Sequence, residues 1–156
     1  MIRTYANTKA ELNIAKARLD LLMGRKEEIY TRYFPITAKL KDVPAHTNKQ
    51  TDAMANYVSE ITAINPVTGL SLEDEICEIR NQIGKLEYYI RLMEKEVLRT
   101  TGIENELFRK IAIEGYKPTK AVSKIAEKYS KEEQTIWKYY YSKIKDTIDR
   151  CKKGED

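Results

Sequence analysis

Residues 71–97, SLEDEICEIRNQIGKLEYYIRLMEKEV, decide the fold of this chain. Their apolar residues alternate at spacings of four and three, which places them along one face of a continuous helix. Such a seam, sustained over more than three heptads, is typical of a coiled coil or a long helical hairpin. Ser71 and Asp74, at the start of the seam, resemble a capping pair. The seam consists of Leu72, Ile76, Ile79, Ile83, Leu86, Ile90, Met93 and Val97.

A second long helix is predicted over residues 8–33, where apolar residues again recur mostly at spacings of three and four. Lys26 interrupts this stripe, and Pro35 ends the helix because its ring clashes with the preceding turn. The similar lengths of the two helices favour an antiparallel hairpin within one chain. Pairing of the 71–97 seam with its twin in a homodimer is the alternative, and the two arrangements are compatible.

A short helix is predicted between the two long ones, lying across the hairpin. It covers about residues 52–64, with Thr51 as a plausible N-cap. Residues 35–50, which include His46, show no period and are predicted to form a loop. The apolar face of the short helix consists of Met54, Tyr57, Val58 and Ile61.

Three shorter helices are predicted in the last third of the chain, over about residues 104–114, 119–129 and 131–148. Gly115 is a C-terminal stop, and Pro118 suits the start of the next helix. Ser130 and Glu133 fit a capping box for the last helix. An inward stripe on that helix consists of Ile136, Tyr140, Ile144 and Ile148.

These patterns predict an all-α protein with two domains. Residues 1–101 form a long helical hairpin that resembles a coiled coil, and residues 102–153 form a three-helix unit with a helix-turn-helix.

The positive charge is concentrated at one end of the sequence. Residues 108–153 contain 13 Lys or Arg and 6 Asp or Glu, a net charge of +7, whereas residues 1–107 have a net charge of −1. A polyphosphate partner would be attracted to the C-terminal third.

Packing the last stripe inward leaves a polar face on the last helix for contact with DNA. Gln134 is able to read adenine through two hydrogen bonds, and Thr135 is able to contact a thymine methyl group. Lysines around them would contact phosphates and fix the register of the protein on the duplex. The candidate DNA-binding residues are Lys120, Lys124, Lys131, Gln134, Thr135, Lys138, Tyr141, Lys143 and Lys145.

The segment AVSKIAEKYS at residues 121–130, followed by TIWK at 135–138, resembles the promoter-reading fourth region of bacterial sigma factors. The whole layout is similar to the ArpU/RinA-like late transcription regulators of phages and prophages of Gram-positive bacteria. The motif covers about residues 104–148, and the turn differs from the sigma pattern by a residue or two. The resemblance implies sequence-specific binding of double-stranded DNA in phage or mobile-element transcription. The hairpin of residues 1–101 would set dimerisation or contact RNA polymerase, and the cysteine usage indicates the cytoplasm of the bacterial host.

Other classes of function find little support in the sequence. No catalytic residues, cofactor or metal site is predicted, because His46 stands alone and neither a glycine-rich phosphate loop nor a Ser/His/Asp set occurs. No apolar run is long enough to cross a membrane. The two cysteines are expected to be reduced thiols, with Cys77 a small buried group beside the seam.

Two alternatives to transcription regulation stay open at this point. One is a small terminase-like subunit for phage DNA packaging, which would also combine a DNA-binding unit with a coiled coil. The other is a protein-binding adaptor or inhibitor, which would show little salt-dependent affinity for DNA. The aromatic residues 137–141 have two interpretations: Tyr139 and Tyr140 in the core with Trp137 and Tyr141 as an exposed ledge, or stacking on nucleobases.

Overall fold

The structure, a computed structural model, describes the backbone of residues 4–35 and 48–152 and the side chains of residues 4–35 and 52–151. Within these ranges the chain has helices and no strand, so the predicted all-α class is confirmed. Three helices come first: α1 (Tyr5–Tyr33), α2 (Asn48–Thr62) and α3 (Leu72–Arg99). Three more follow: α4 (Gly102–Phe108, continued by a π-helical turn at Arg109–Ile113), α5 (Pro118–Tyr129) and α6. Helix α6 consists of Glu133–Thr135, a π-helical segment Ile136–Tyr141, and Ser142–Lys152.

The described residues fall into two compact units. The central unit contains those between Ile14 and Ile83, and the terminal unit contains those up to Asn13 and from Gly84 onward. The predicted domain boundary between residues 101 and 102 stays a prediction.

In the central unit, α1 and α3 lie side by side in antiparallel directions. Lys26 forms an ion pair with Glu73, and a guanidinium nitrogen of Arg80 lies 3.6 Å from the sulfur of Met23. Lys26 is half-buried within the apolar stripe of α1, so the charge that interrupts the sequence pattern has a partner on α3. The buried apolar residues of this unit are Ala15, Ile29, Ile61, Ile76 and Ile79.

The ends of α2 and α3 test two predicted helix caps. Ser71 is confirmed as the cap of α3: its hydroxyl oxygen accepts a hydrogen bond from the Asp74 backbone N–H at 3.1 Å and its O–H donates to the Asp74 carboxylate at 2.6 Å. Thr51 as an N-cap is wrong, because α2 begins at Asn48 and Thr51 lies inside the helix. Residues 48–50 of the predicted loop are helical, and residues 36–47, which include His46, lie outside the described residues.

The terminal unit has a continuous apolar core formed by α3, α4, α5 and α6. The inner stripe of α6 is confirmed, since Ile136, Ile144 and Ile148 are buried and Tyr140 is half-buried against them. At the junction of α3 and α4 the side-chain amide of Asn105 donates hydrogen bonds to the carbonyl oxygens of Val97 at 2.6 Å and Thr100 at 3.1 Å. The other buried residues of this apolar core are Met93, Leu107, Phe108, Ile111, Ala112, Ala121, Val122, Ile125, Ala126 and Cys151.

The π-helical segment of α6 keeps its inner residues in line. A stripe at every fourth residue drifts by about 40° per step around an α-helix, which has about 3.6 residues per turn. A π-helical turn holds more residues and therefore rotates less per residue, which offsets this drift between Ile136 and Ile144. The Ser142 backbone N–H donates to the carbonyl oxygen of Trp137, five residues earlier.

Three local predictions in and near these helices are wrong. Ser130 does not cap α6: it takes a left-handed conformation (φ 50°) at the end of α5, and α6 starts only at Glu133. Cys77 is exposed, because it lies beside the seam of α3 on the outer side. Tyr139 is 55% exposed and does not belong to the core.

Candidate nucleic-acid interface

Helices α5 and α6 are joined by a turn of three residues, Ser130 to Glu132. The Lys131 backbone N–H donates to the carbonyl oxygen of Ala126 at 2.9 Å, which closes the last turn of α5 after the left-handed Ser130. Both helices place their apolar sides in the core, where Val122, Ile125 and Ile136 are fully buried. The polar sides of α5 and α6 are therefore held outward on a rigid support.

The first turns of α6 carry three of the predicted DNA-binding residues, Gln134, Thr135 and Lys138. Gln134 and Lys138 are exposed and lie about one helical turn apart, and Lys131 is exposed in the turn before them. Thr135 is half-buried. The Lys138 ammonium lies 5.4 Å from the ring centre of Tyr139, the exposed tyrosine next to it.

The later part of α6 differs from the sequence-based expectation. Tyr141 is half-buried and packs edge-on against Trp137, with 4.6 Å between the ring centres, so the pair belongs to the shell of the core and does not form a bare ledge. Lys143 forms an ion pair with Glu104 of α4, with 2.7 Å between nitrogen and oxygen. Lys145 is exposed. Among the described residues, Lys143 has an acidic partner and Lys145 has none.

On α5 the two predicted lysines, Lys120 and Lys124, surround a tyrosine that the sequence did not single out. The Lys124 ammonium donates a hydrogen bond to the Tyr116 hydroxyl oxygen at 3.1 Å and lies 4.5 Å from its ring centre. Lys120 and Lys110 each lie 5.6 Å from the same ring centre. The hydrogen bond from Lys124, with the charges of Lys124 and Lys110, lowers the pKa of Tyr116.

A third lysine on α5, Lys128, is neutralised by an acidic partner on α4. The Lys128 ammonium contacts both carboxylate oxygens of Glu106, at 2.7 and 2.9 Å, and the Tyr129 hydroxyl donates to the same carboxylate at 2.8 Å. The hydrogen bond to Glu106 raises the pKa of Lys128, and the hydrogen bond from Lys128 lowers the pKa of Glu106. The ion pair of Lys128 with Glu106 thus links α5 to α4.

Acidic residues share the surface around the turn. Glu127, Glu132 and Glu133 are exposed beside Lys131 and Gln134. A phosphate group approaching this edge would meet both signs of charge, so the favourable positions for phosphates are those of the lysines.

The sequence misses Tyr116 and Lys110, although it contains a signal for them. Lys120 and Lys124 are four residues apart and so lie on one face of α5. The only aromatic residue in the connection between Gly115 and Pro118 is Tyr116, and it is close enough along the chain to meet that face. The contribution of Lys110 depends on the π-helical turn at Arg109–Ile113, which the sequence pattern does not indicate.

Among the described side chains, no group of three His, Cys, Asp or Glu residues is arranged to hold a metal ion. No helix in the described part of the chain has the length and apolar character needed to cross a membrane. Comparison of the chain with protein-family models, with curated proteins and with solved structures found no match.

Proposed function

We propose that this chain is a sequence-specific DNA-binding transcription regulator of a phage, prophage or mobile element. In this proposal α5, the turn and α6 act as a helix-turn-helix, and α6 enters the major groove. One observation carries the proposal: Gln134 and Lys138 are exposed at the start of α6 while its opposite side, at Ile136 and Ile144, is fully buried. A recognition helix needs this arrangement, because its N-terminal side chains contact base edges while its other face packs on the domain.

The exposed side chains have the chemistry that groove reading requires. The Gln134 amide is able to form two hydrogen bonds with adenine, and Lys138 is able to donate to the O6 and N7 atoms of guanine. Lys131 and Lys145 on either side would contact phosphates and fix the position of α6. Lys143 contributes less, since its charge is already paired with Glu104.

The glutamates at the turn suit a sequence-specific DNA-binding protein better than a non-specific one. Glu132 and Glu133 repel phosphates, so they lower the affinity for DNA of any sequence. A protein with this mixed surface depends more strongly on correct base contacts, and specificity is a difference between two affinities.

The assignment to a phage or prophage depends on the resemblance of residues 121–138 to the fourth region of sigma factors. In this proposal the helical hairpin of α1 and α3 forms a homodimer through its apolar seam or contacts RNA polymerase.

The test is selection of bound sequences from a random duplex library with the full chain, followed by affinity measurements on the selected site. Gln134→Ala and Lys138→Ala should each weaken binding to that site by about 5- to 150-fold, which corresponds to about 1–3 kcal/mol. Lys95→Ala is the matched control, because Lys95 is an exposed lysine on α3 in the same unit. Selection of no preferred sequence, or wild-type binding by both α6 variants, would contradict the proposal.

The mass of the protein in solution separates regulation from DNA packaging. A monomer or dimer agrees with a regulator, whereas a ring of many protomers would favour a packaging subunit. An affinity for DNA that does not change with salt would favour a protein-binding adaptor, because release of counterions makes phosphate contacts salt-dependent.

A further inference from the structure

Tyr116 lies at the centre of a cluster of lysines that come from two different helices. Lys110 comes from the π-helical turn of α4, and Lys120 and Lys124 come from α5. Their ammonium groups lie 4.5–5.6 Å from the centre of the Tyr116 ring. We call these four residues the Tyr116 cluster.

The cluster has a fixed centre. The Tyr116 ring is half-buried against the core of the terminal unit, and its backbone N–H donates to the carbonyl oxygen of Lys110 at 2.9 Å. Gly115, just before it, has a φ of +78°, which turns the chain sharply between α4 and α5. Lys110 is also restrained, since only 19% of its side chain is exposed.

The charges of the cluster are poorly compensated. Three ammonium groups share one tyrosine ring, and the ion pair between Lys110 and Glu114 is long, at 3.8 Å. Like charges brought this close repel each other, and a bound anion would relieve that repulsion. The surface therefore favours a ligand with negative charge.

The hydroxyl group of Tyr116 indicates the kind of anion. Its oxygen accepts a hydrogen bond from Lys124, which leaves its O–H proton available to donate. A phosphodiester group has two unesterified oxygens, which together accept hydrogen bonds from several donors at once. One tyrosine O–H and three ammonium groups match that need.

We propose that the Tyr116 cluster binds one phosphate of the DNA backbone. This inference rests on the proposed DNA-binding function, and it adds Tyr116 and Lys110 to the residues expected from the sequence. The phosphate contact anchors the α4–α5 connection on the duplex, while α6 reads the bases. Its contribution is independent of DNA sequence, because every nucleotide presents the same phosphate.

The experiment measures the affinity of the full chain for a duplex of unrelated sequence by fluorescence anisotropy, between about 50 and 200 mM salt. Lys124→Gln should weaken binding and reduce the slope of log affinity against log salt by at most about one, because the phosphate loses one of its three cations. Tyr116→Phe should weaken binding by about 2- to 10-fold with the slope unchanged, since it removes a hydrogen bond and no charge. Tyr116→Phe keeps the ring that packs on the core, so folding is preserved.

Lys95→Gln is the control, because it removes the same charge from α3 in the same unit, outside the cluster. It should leave both the affinity and the slope at the wild-type values. If the wild type binds duplex DNA and Lys124→Gln keeps the wild-type slope, or if Lys95→Gln weakens binding equally, the inference about the cluster is overturned and the proposed function is not. If the wild type does not bind duplex DNA, both are overturned.

Discussion

The buried thiol of Cys151 should make the protein lose stability in alkaline solution. Cys151 is 1% exposed in the core of the terminal unit. Burial, followed by the nearby negative charge of Glu96, raises the pKa of this thiol from 9.0 to about 11. Glu96 is itself buried on α3 and forms an ion pair with Arg99 at 2.5 Å.

The sign of the effect follows from the protons bound in each state. Between pH 9 and about pH 11 the folded chain keeps the thiol proton while the unfolded chain has lost it. The free energy of unfolding therefore falls as pH rises, by about 1.4 kcal/mol per pH unit in this window. The total loss across the window is about 2–3 kcal/mol, and the contribution is fully present below pH 9.

The free energies of unfolding of the wild type and of Cys151→Ala, plotted against pH, should cross. At neutral pH the variant should be less stable by about 1 kcal/mol, because it leaves a small cavity in the core. The variant has no thiol to ionise, so it escapes the alkaline loss. The two free energies of unfolding should become equal near pH 10, and above that pH the variant should be more stable than the wild type.

The assay is urea unfolding followed by circular dichroism, with a reductant present, at a series of pH values from about 7 to 11. Lysines and tyrosines titrate in both proteins, so the difference between the two curves isolates Cys151. Cys77→Ala is the control, because it removes an exposed thiol instead of the buried one. A constant difference between the wild type and Cys151→Ala over the whole range would refute the reasoning.

Three further predictions concern the helix junctions and the turn. Asn105→Ala should destabilise the protein by about 1–3 kcal/mol in urea unfolding, because the carbonyl oxygens of Val97 and Thr100 lose their donor. Asn105→Asp should destabilise it more, because it places a negative charge beside those carbonyl oxygens; equal destabilisation by both variants would contradict this. Gly115→Ala should lower the thermal midpoint, because φ is +78° and an added Cβ would lie 2.8 Å from the Thr4 methyl carbon, and Gly24→Ala, where the added carbon meets open space, should not. Glu132→Gln combined with Glu133→Gln should tighten binding to unrelated duplex DNA more than to a selected site, and an equal gain on both would argue against a role in specificity.

Several features of the fold could be predicted because they depend on neighbours in the sequence. Ser71 and Asp74 cap α3 through hydrogen bonds over three residues, and Pro118 starts α5 with a backbone that is already suited to a helix. The inner stripes of α3 and α6 follow from spacing alone, because side chains three or four residues apart share one face of a helix. Ile79, Ile136 and Ile144 are buried as those stripes predict.

Other features were missed because two local interpretations compete. Ser130 followed by Glu133 satisfies the pattern of a capping box, yet the end of α5 needs a left-handed residue at the same position. In the structure Ser130 caps the C-terminal end of α5, and α6 starts two residues later than predicted. The sequence pattern also predicts that Cys77 and Tyr139 are buried. In the structure each lies one position along the helix from a residue on the inner face, and both are exposed.

The sequence alone therefore determined the helices, most of their boundaries and the faces they bury, because hydrophobic spacing and helix caps act over three or four residues. Tertiary structure alone decided which charges are neutralised and which are grouped. Lys26, Lys128 and Lys143 find acids on other helices, whereas Lys110 meets Lys124 around Tyr116. Partners for a charge depend on distances between helices, and the order of residues along the chain does not contain those distances.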